Sequence, residues 1–226
     1  MVVVMNRKYL KISYILNILI VIFLIFSLIV MFGRINFMNM KNPIEEAHSI
    51  AMLKYFTTDS NILVGIASLF LLIEENKVLK DNRKSIKTSI YIFKFISTVA
   101  VMVTFLTVFI YLGPGSSGGI VSMLTNSNLF MHLIIPVLAF ISFVFFEKNN
   151  KIDKKYIKYG VLPVVIYAIY YLTGVLTHLD NGHVSIKYDW YWFVQSGIRY
   201  IFFVVPIMLI GTLLLSYIIY ILNHKK

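Results

Sequence analysis

The chain contains no cysteine. That removes disulfides, thiolate metal sites and cysteine nucleophiles at once. Charge is also scarce: 14% of the 226 residues are Asp, Glu, Lys or Arg, against about 25% in soluble domains. Acid is the scarcer sign, with 10 Asp and Glu against 21 Lys and Arg, a formal net charge of +11. There are five prolines, few enough to leave long stretches free for uninterrupted helix. Glycine-rich phosphate loops following a strand, His-Glu-x-x-His and Gly-x-Ser-x-Gly are all missing, which leaves no motif of the common nucleotide-binding, zincin or α/β-hydrolase classes.

What the chain has is apolar residues, 59% of the total. A globule of this size exposes too much of its surface to hide that fraction, whereas a bilayer accommodates it. Six apolar runs stand out: Ile12 to Phe32, Phe56 to Ile73, Ile86 to Leu112, Leu129 to Phe146, Ile157 to Leu176 and Tyr200 to Leu222. Each approaches the roughly 20 residues that span hydrocarbon as a helix. Backbone amides have no partners in lipid except within a helix or a closed barrel, and barrel-type alternation is absent. The expected fold is therefore all-α: a polytopic membrane protein formed as a single domain over residues 1–226, with six transmembrane helices. The first run follows Arg7, Lys8 and Lys11, as in a signal peptide, but its apolar stretch is longer and no A-x-A-like cleavage site follows, so a retained helix is expected.

The positive charge is distributed unevenly. The N-terminal tail, the loops after the second and fourth runs, and the C-terminus hold fifteen Lys and Arg; the other three loops hold five, Arg34, Lys41, Lys54, Lys187 and Arg199. Lys and Arg gather on the cytoplasmic side, so both termini are expected there, in a cell membrane and most simply a bacterial plasma membrane. The excess charge then serves orientation, and no nucleic-acid partner is expected. Lys94 lies within the third run and is expected to snorkel to the cytoplasmic interface.

The loops on the expected outer side carry more features. Asn42-Pro43-Ile44-Glu45-Glu46 is a helix-start pattern, and the segment up to Leu53 reads as a short interfacial helix. Gly113-Pro114-Gly115-Ser116-Ser117-Gly118-Gly119 reads as a flexible turn. Tyr188, Trp190, Tyr191 and Trp192 form either an interfacial aromatic belt or part of a substrate lining.

Polar residues inside apolar runs are expensive and point toward the bundle interior. Thr57, Asn61, Gly65 and Ser68 fall on one helical face, which suits either close helix packing through small residues or a functional stripe. Thr57 or Asp59 also suits helix capping. In the fourth run His132 follows Asn128 by four residues and precedes Pro136 by four. Thr57 and His132 both lie within about one turn of the outer face at about 1.5 Å per residue, a depth at which hydroxyl and imidazole suit a nucleophile and base. Tyr167, Tyr171, Gly174 and His178 form a stripe on the fifth run, read either as aromatic packing or as a cavity lining. His178, Asp180 and His183 have loop spacing that is weak ground for a metal site, so no metal or cofactor is expected.

Two segments carry a resemblance. Lys54-Tyr55-Phe56-Thr57-Thr58-Asp59-Ser60-Asn61 opens the second run, and Met131-His132-Leu133-Ile134-Ile135-Pro136 lies in the fourth. With the six-run plan, they resemble the androgen-induced protein family, most closely its prokaryotic branch. The resemblance implies hydrolysis of fatty-acid esters by a threonine nucleophile and a histidine. The threonine falls on Thr57, with Thr58 as the adjacent alternative, and the histidine on His132. The chain departs from the family where Ile141 and Ser142 occupy the place of an acidic residue. It departs again where Tyr188-Asp189-Trp190-Tyr191-Trp192-Phe193 lacks a proline.

The functional expectation is an intramembrane hydrolase of lipid or fatty-acid esters near the outer membrane face. Thr57 and His132 would be catalytic, and Thr58, Ser60, Asn61, Asn128, Tyr167, Tyr171 and Trp190 would be candidates for substrate or oxyanion contact. Its partners are then membrane lipids or a lipid-like ester. The alternatives are a non-enzymatic lipid-binding or small-solute transport protein, although no internal repeat of the transporter kind is evident, and a structural membrane subunit.

Overall fold

A computed structural model describes residues 7–38, 49–81, 85–148, 152–194 and 197–225. Six helices are long and apolar enough to cross a membrane: α1 Arg7–Gly33, α2 Phe56–Lys80, α3 Thr88–Gly115, α4 Asn126–Phe146, α5 Lys154–Thr177 and α6 Ile198–His224. The helix-start pattern at 42–46 lies outside the described residues; Ser49–Lys54, just after it, forms a short 3₁₀ helix. Leu179–Asp180 and His183–Val184 pair as a minimal antiparallel hairpin, β1 and β2, between α5 and α6.

The helices run past the apolar stretches that announce them. α1 begins at Arg7 rather than Ile12, and α2 continues through Glu74, Glu75 and Lys77. Hydropathy marks only the apolar part of a helix, whereas the backbone ladder continues as long as polar side chains find partners.

Successive helices alternate in direction, as their packing shows. Leu10 at the start of α1 clusters with Leu71 and Val78 late in α2 and with Ile86 just before α3. Tyr91 early in α3 clusters with Phe143 late in α4 and Ile219 late in α6. Both termini therefore lie at one end of the bundle, here called the terminal end. α1 and α2 pack along their length, and Ile20, Leu24, Val64, Val101, Met131 and Ile135 join the first four helices in one core cluster.

The burial pattern reverses that of a water-soluble helix. On α1, Ser13, Asn17 and Ser27 are buried while Ile15, Ile22 and Ile29 are more than half exposed. On α6 the buried residues Thr212, Ser216, Ile219 and Asn223 recur every three or four positions, and Phe202, Ile207 and Ile210 face outward. A soluble amphipathic helix does the opposite.

Close packing fixes α5 against α6. The Ser216 hydroxyl donates to the Ile157 carbonyl at 2.7 Å, and a Cβ built on Gly160 would meet the Ser216 Oγ at 2.3 Å and its Cβ at 2.9 Å. Gly160→Ala is expected to destabilise the fold by about 1–3 kcal/mol through overpacking, read as a lower melting temperature in detergent. Gly174→Ala, with nothing within 4 Å of its built Cβ, serves as the matched control.

The terminal half of the bundle holds a buried polar cluster, and here the expectation for Lys94 needs correction. Its side chain does not snorkel: Lys94 is fully buried, and its ammonium donates to Asn17 Oδ1 and Ser68 Oγ, each at 2.7 Å. Glu147 Oε1 lies 3.9 Å away. Asn17 Nδ2 donates to that same Oε1 at 3.0 Å, and Ser142 Oγ donates to it at 2.6 Å. Ser13 donates to Glu75 Oε1 at 2.5 Å. The physical reason is that partners on α1, on α2 and just after α4 lie within reach of the ammonium and satisfy the charge inside the bundle. Ser68, one of the small-residue stripe, is thus a hydrogen-bond partner. Gly65 matches the packing reading, lying against Leu24.

Candidate functional site

The far end of the bundle, opposite the termini, is built around the start of α2. Thr57 is half-buried there, with Phe56 before it and the buried Thr58 after it. The backbone of this turn is held from several directions. Tyr191 accepts a hydrogen bond from the Phe56 amide at 2.9 Å. The Thr57 carbonyl accepts from Ser60 Oγ at 3.1 Å and from Asn61 Nδ2 at 2.7 Å. Ser60 Oγ also shares a 2.8 Å hydrogen bond with Thr104 of α3.

Asn61 joins the two segments that the sequence singles out. Besides the Thr57 carbonyl, its amide donates to the Met131 carbonyl at 3.0 Å, so a single buried side chain ties the Thr57 turn to the residue before His132. Its own Oδ1 is buried without a hydrogen-bond partner. His132 is 7% exposed, and its Nδ1 meets the Met123 carbonyl at 2.7 Å. A carbonyl only accepts, so Nδ1 carries the proton and, in the neutral ring, the lone pair sits on Nε2. The turn Phe130–Ile134 around His132 is widened to π-helical form. Pro136, one turn on, cannot donate to the His132 carbonyl, and its ring would crowd that carbonyl in a regular helix; the wider turn relieves this. Such π turns are frequent at functional sites. Among the described residues, no hydrogen bond joins Thr57 to His132.

Thr57 lines a partly open apolar cavity between α2, α3, α5 and α6. Its walls include Val103, Val108, Val164, Leu172, Val205 and Met208, with Thr104 and Thr107 beside Thr57. Phe56 and Tyr167 line both this cavity and a second, more open lateral crevice between α2, α3 and α5, where Asp59 and Ser60 are lined up with Leu63, Phe93 and Ile166.

Residues 179–194 fold down as a cover. Tyr167 donates to the Lys54 carbonyl at 2.6 Å, and Trp190 Nε1 donates to Tyr167 at 3.0 Å. Lys54 lies over the rings of Tyr55 and Trp190. Tyr171 donates to buried Asp189, which also accepts the amides of Phe193 at 2.9 Å and Val194 at 3.1 Å. Trp190 meets Tyr171 edge-on, and Tyr191 stacks on Phe193. Burial pushes the Tyr191 phenol up to about 12, so at neutral pH it stays protonated and keeps its O–H as a donor. Tyr167, Tyr171 and Tyr191 both line the cavity and pack on one another, and Trp190 packs against Tyr171.

The remaining sequence candidates fall elsewhere. The Asn128 amide closes a turn on the Thr125 carbonyl at 2.8 Å, while its neighbour Asn126 accepts the amides of Phe37 and Met38 at 3.0 and 2.9 Å and so anchors the chain after α1. His178 stacks on Tyr188, and Asp180 and His183 are partners in the hairpin. Among the described residues no group of three His, Cys, Asp or Glu is placed to hold a metal. Sequence reasoning did not single out Asp189, Asn126, Glu75 or Glu147. The only available signal for the first was an acid embedded in an aromatic segment.

The class defined by this fold is a multi-pass helical bundle with six helices of membrane-spanning length and apolarity. Compared with protein-family profiles, curated proteins and solved structures, the chain matched none.

Proposed function

We propose that the chain is an integral membrane protein with cytoplasmic termini that draws the acyl chain of a lipid or fatty-acid ester into the cavity beside Thr57 and hydrolyses the ester. The observation that carries this reading is the Asn61 bridge: it places the turn bearing a cavity-lining hydroxyl directly against the turn bearing a buried imidazole. The uneven distribution of Lys and Arg supports the orientation, and the resemblance of the Thr57 and His132 segments to fatty-acid-ester hydrolases agrees with the chemistry.

In the proposed reaction, His132 Nε2 takes the Thr57 proton as the hydroxyl oxygen attacks the ester carbonyl. Collapse of the tetrahedral intermediate expels the alcohol, which receives that proton from His132, and leaves an acyl-threonine. Water, deprotonated by the same nitrogen, then releases the fatty acid and restores the hydroxyl. The Nδ1–H bond to the Met123 carbonyl holds the ring in the tautomer that this requires, and the apolar walls take the acyl chain. Thr57 and His132 form their hydrogen bond in the substrate complex, since catalytic contacts often tighten only then.

A second reading, lipid binding without turnover, is favoured by one observation: among the described residues no hydrogen bond joins Thr57 to the imidazole of His132, whose partner is the Met123 carbonyl on Nδ1. The two are separated by incubating purified protein in lipid nanodiscs with a fatty-acid ester of a hydroxy fatty acid. Hydrolysis is expected to fall to background in Thr57→Ala and in His132→Ala and to persist in Thr58→Ala. Hydrolysis unchanged in the first two variants overturns the catalytic assignment. Co-purified lipid with no turnover in the wild type supports the binding reading.

A further inference from the structure

We infer that Glu75, Glu147 and Lys94 form a proton-binding site inside the terminal half of the bundle, in which Glu75 carries one exchangeable proton. This site lies at the opposite end from Thr57 and stands independently of the ester-hydrolase reading.

The argument begins with charge balance. Two carboxyl groups share one buried neighbourhood with a single ammonium: Glu147 Oε1 lies 3.9 Å from the Lys94 nitrogen, and Asn17 links Glu147 to the Ser13 hydroxyl that donates to Glu75. All three residues are at most 2% exposed. With every group ionised, the cluster would carry one uncompensated negative charge in a region of low dielectric, which a buried site avoids by taking up a proton. The side chains that hydrogen-bond within the cluster around these three groups are uncharged: Ser13 and Asn17 from α1, Ser68 from α2 and Ser142 from α4. α3 offers Lys94 and the neutral phenol of Tyr91, whose hydrogen-bond partner is Asn223 of α6. Glu74, next along α2, is turned to Lys77 at 2.9 Å.

The hydrogen bonds then decide which carboxyl holds the proton. Glu147 Oε1 receives Ser142 and Asn17 and has the Lys94 ammonium nearby, an arrangement that stabilises a carboxylate. Glu75 receives a single hydroxyl, from Ser13, on Oε1. The Oε2 atoms of both glutamates are buried with no hydrogen-bond partner, so the difference lies at Oε1, which takes two donors beside an ammonium in Glu147 and one hydroxyl in Glu75. Asn17 is the hinge of the arrangement. Its Oδ1 takes the ammonium, and its Nδ2 reaches both Glu147 and the Ser13 hydroxyl that serves Glu75. A chain of Glu75, Ser13, Asn17 and Glu147 thus leads from the protonated group to the residue immediately after α4, at the terminal end of the bundle.

The test is infrared difference spectroscopy on the full-length protein in nanodiscs, reading the carboxylic-acid C=O band at neutral pH. The wild type is expected to show a protonated-carboxyl band that shifts on transfer to D₂O. The band should be lost in Glu75→Gln and persist in Glu74→Gln and Asp59→Asn. In Lys94→Met, where two carboxyls face no cation, its integrated area is expected to double. A wild type with no such band at neutral pH overturns the proposal whatever the variants do. So does a band that survives Glu75→Gln. Repeating the measurement with Na⁺ in place of N-methylglucamine at equal ionic strength separates the ligands: a band abolished by Na⁺ means that the site takes a metal cation and overturns the proton assignment.

Discussion

Lys94→Met is expected to lower the stability of the folded bundle by about 3–5 kcal/mol, the usual cost of leaving one partner of a buried ion pair alone. The methionine matches the aliphatic stem and removes only the ammonium. Asn17 Oδ1 and Ser68 Oγ then each lose a donor, and Glu147 keeps Asn17 and Ser142 but loses its counter-charge. Chemical unfolding in mixed micelles, followed by tryptophan fluorescence, measures the loss. The double variant Lys94→Met/Glu147→Gln is expected to cost less than the sum of the two single changes, because removing the second charge removes the reason for the first penalty. Strict additivity would mean that the two side chains do not interact, and that the buried ammonium is held by Asn17 and Ser68 alone.

Asp189→Ala is expected to release the cover of the far-end cavity. The change strips acceptors from the Phe193 and Val194 amides and from the Tyr171 hydroxyl. With about 1–3 kcal/mol for each of three donors left unpaired, the loop forfeits about 3–9 kcal/mol of local stability. Part of this appears as local opening and not as global unfolding. Amide exchange at Phe193 and Val194 is expected to accelerate by at least about 100-fold, since 1.4 kcal/mol corresponds to a factor of ten. Asp189→Asn keeps one acceptor oxygen and should lie between the alanine variant and the wild type. Tyr171→Phe removes a single donor and should cost about 1 kcal/mol. Unchanged exchange in Asp189→Ala would show that the aromatic contacts alone hold the loop.

The architecture was legible because hydrocarbon-compatible helices are written as contiguous runs, and contiguity is a local property. All six runs appear as helices. Their ends were less legible: α2 continues through Glu74 and Glu75, which hydropathy reads as the start of a loop. The same blind spot hid the terminal-end cluster. Lys94 alone in an apolar run looks like a snorkelling residue, because its partners Asn17 and Glu147 are far away in sequence and Glu147 lies where an apolar run has already ended. Satisfaction of a buried charge is a property of tertiary neighbours, and no window along the chain contains them. At the far end, sequence spacing placed Thr57 and His132 at similar depth, and the structure adds that Asn61 ties their two turns together. The spacing gave no sign that Thr57 opens onto a cavity whose other walls come from α5 and α6, or that Asp189 holds the cover above it.

The make-up of the polar cluster has a consequence for synthesis. Its groups come from α1, α2, α3 and α4 in turn, and the chain leaves the ribosome in that order. Until α4 arrives, Lys94 has no carboxylate from that helix, and Asn17 has only part of its set. The first three helices are therefore an incomplete intermediate that benefits from being held together, and the arrival of Ser142 and Glu147 is the step that closes it. The last two helices join a body already satisfied inside, docking through the close approach of Gly160 and Ser216 and through Asn223 at its edge. The far-end cavity, walled on one side by those late arrivals, comes into existence only after that docking.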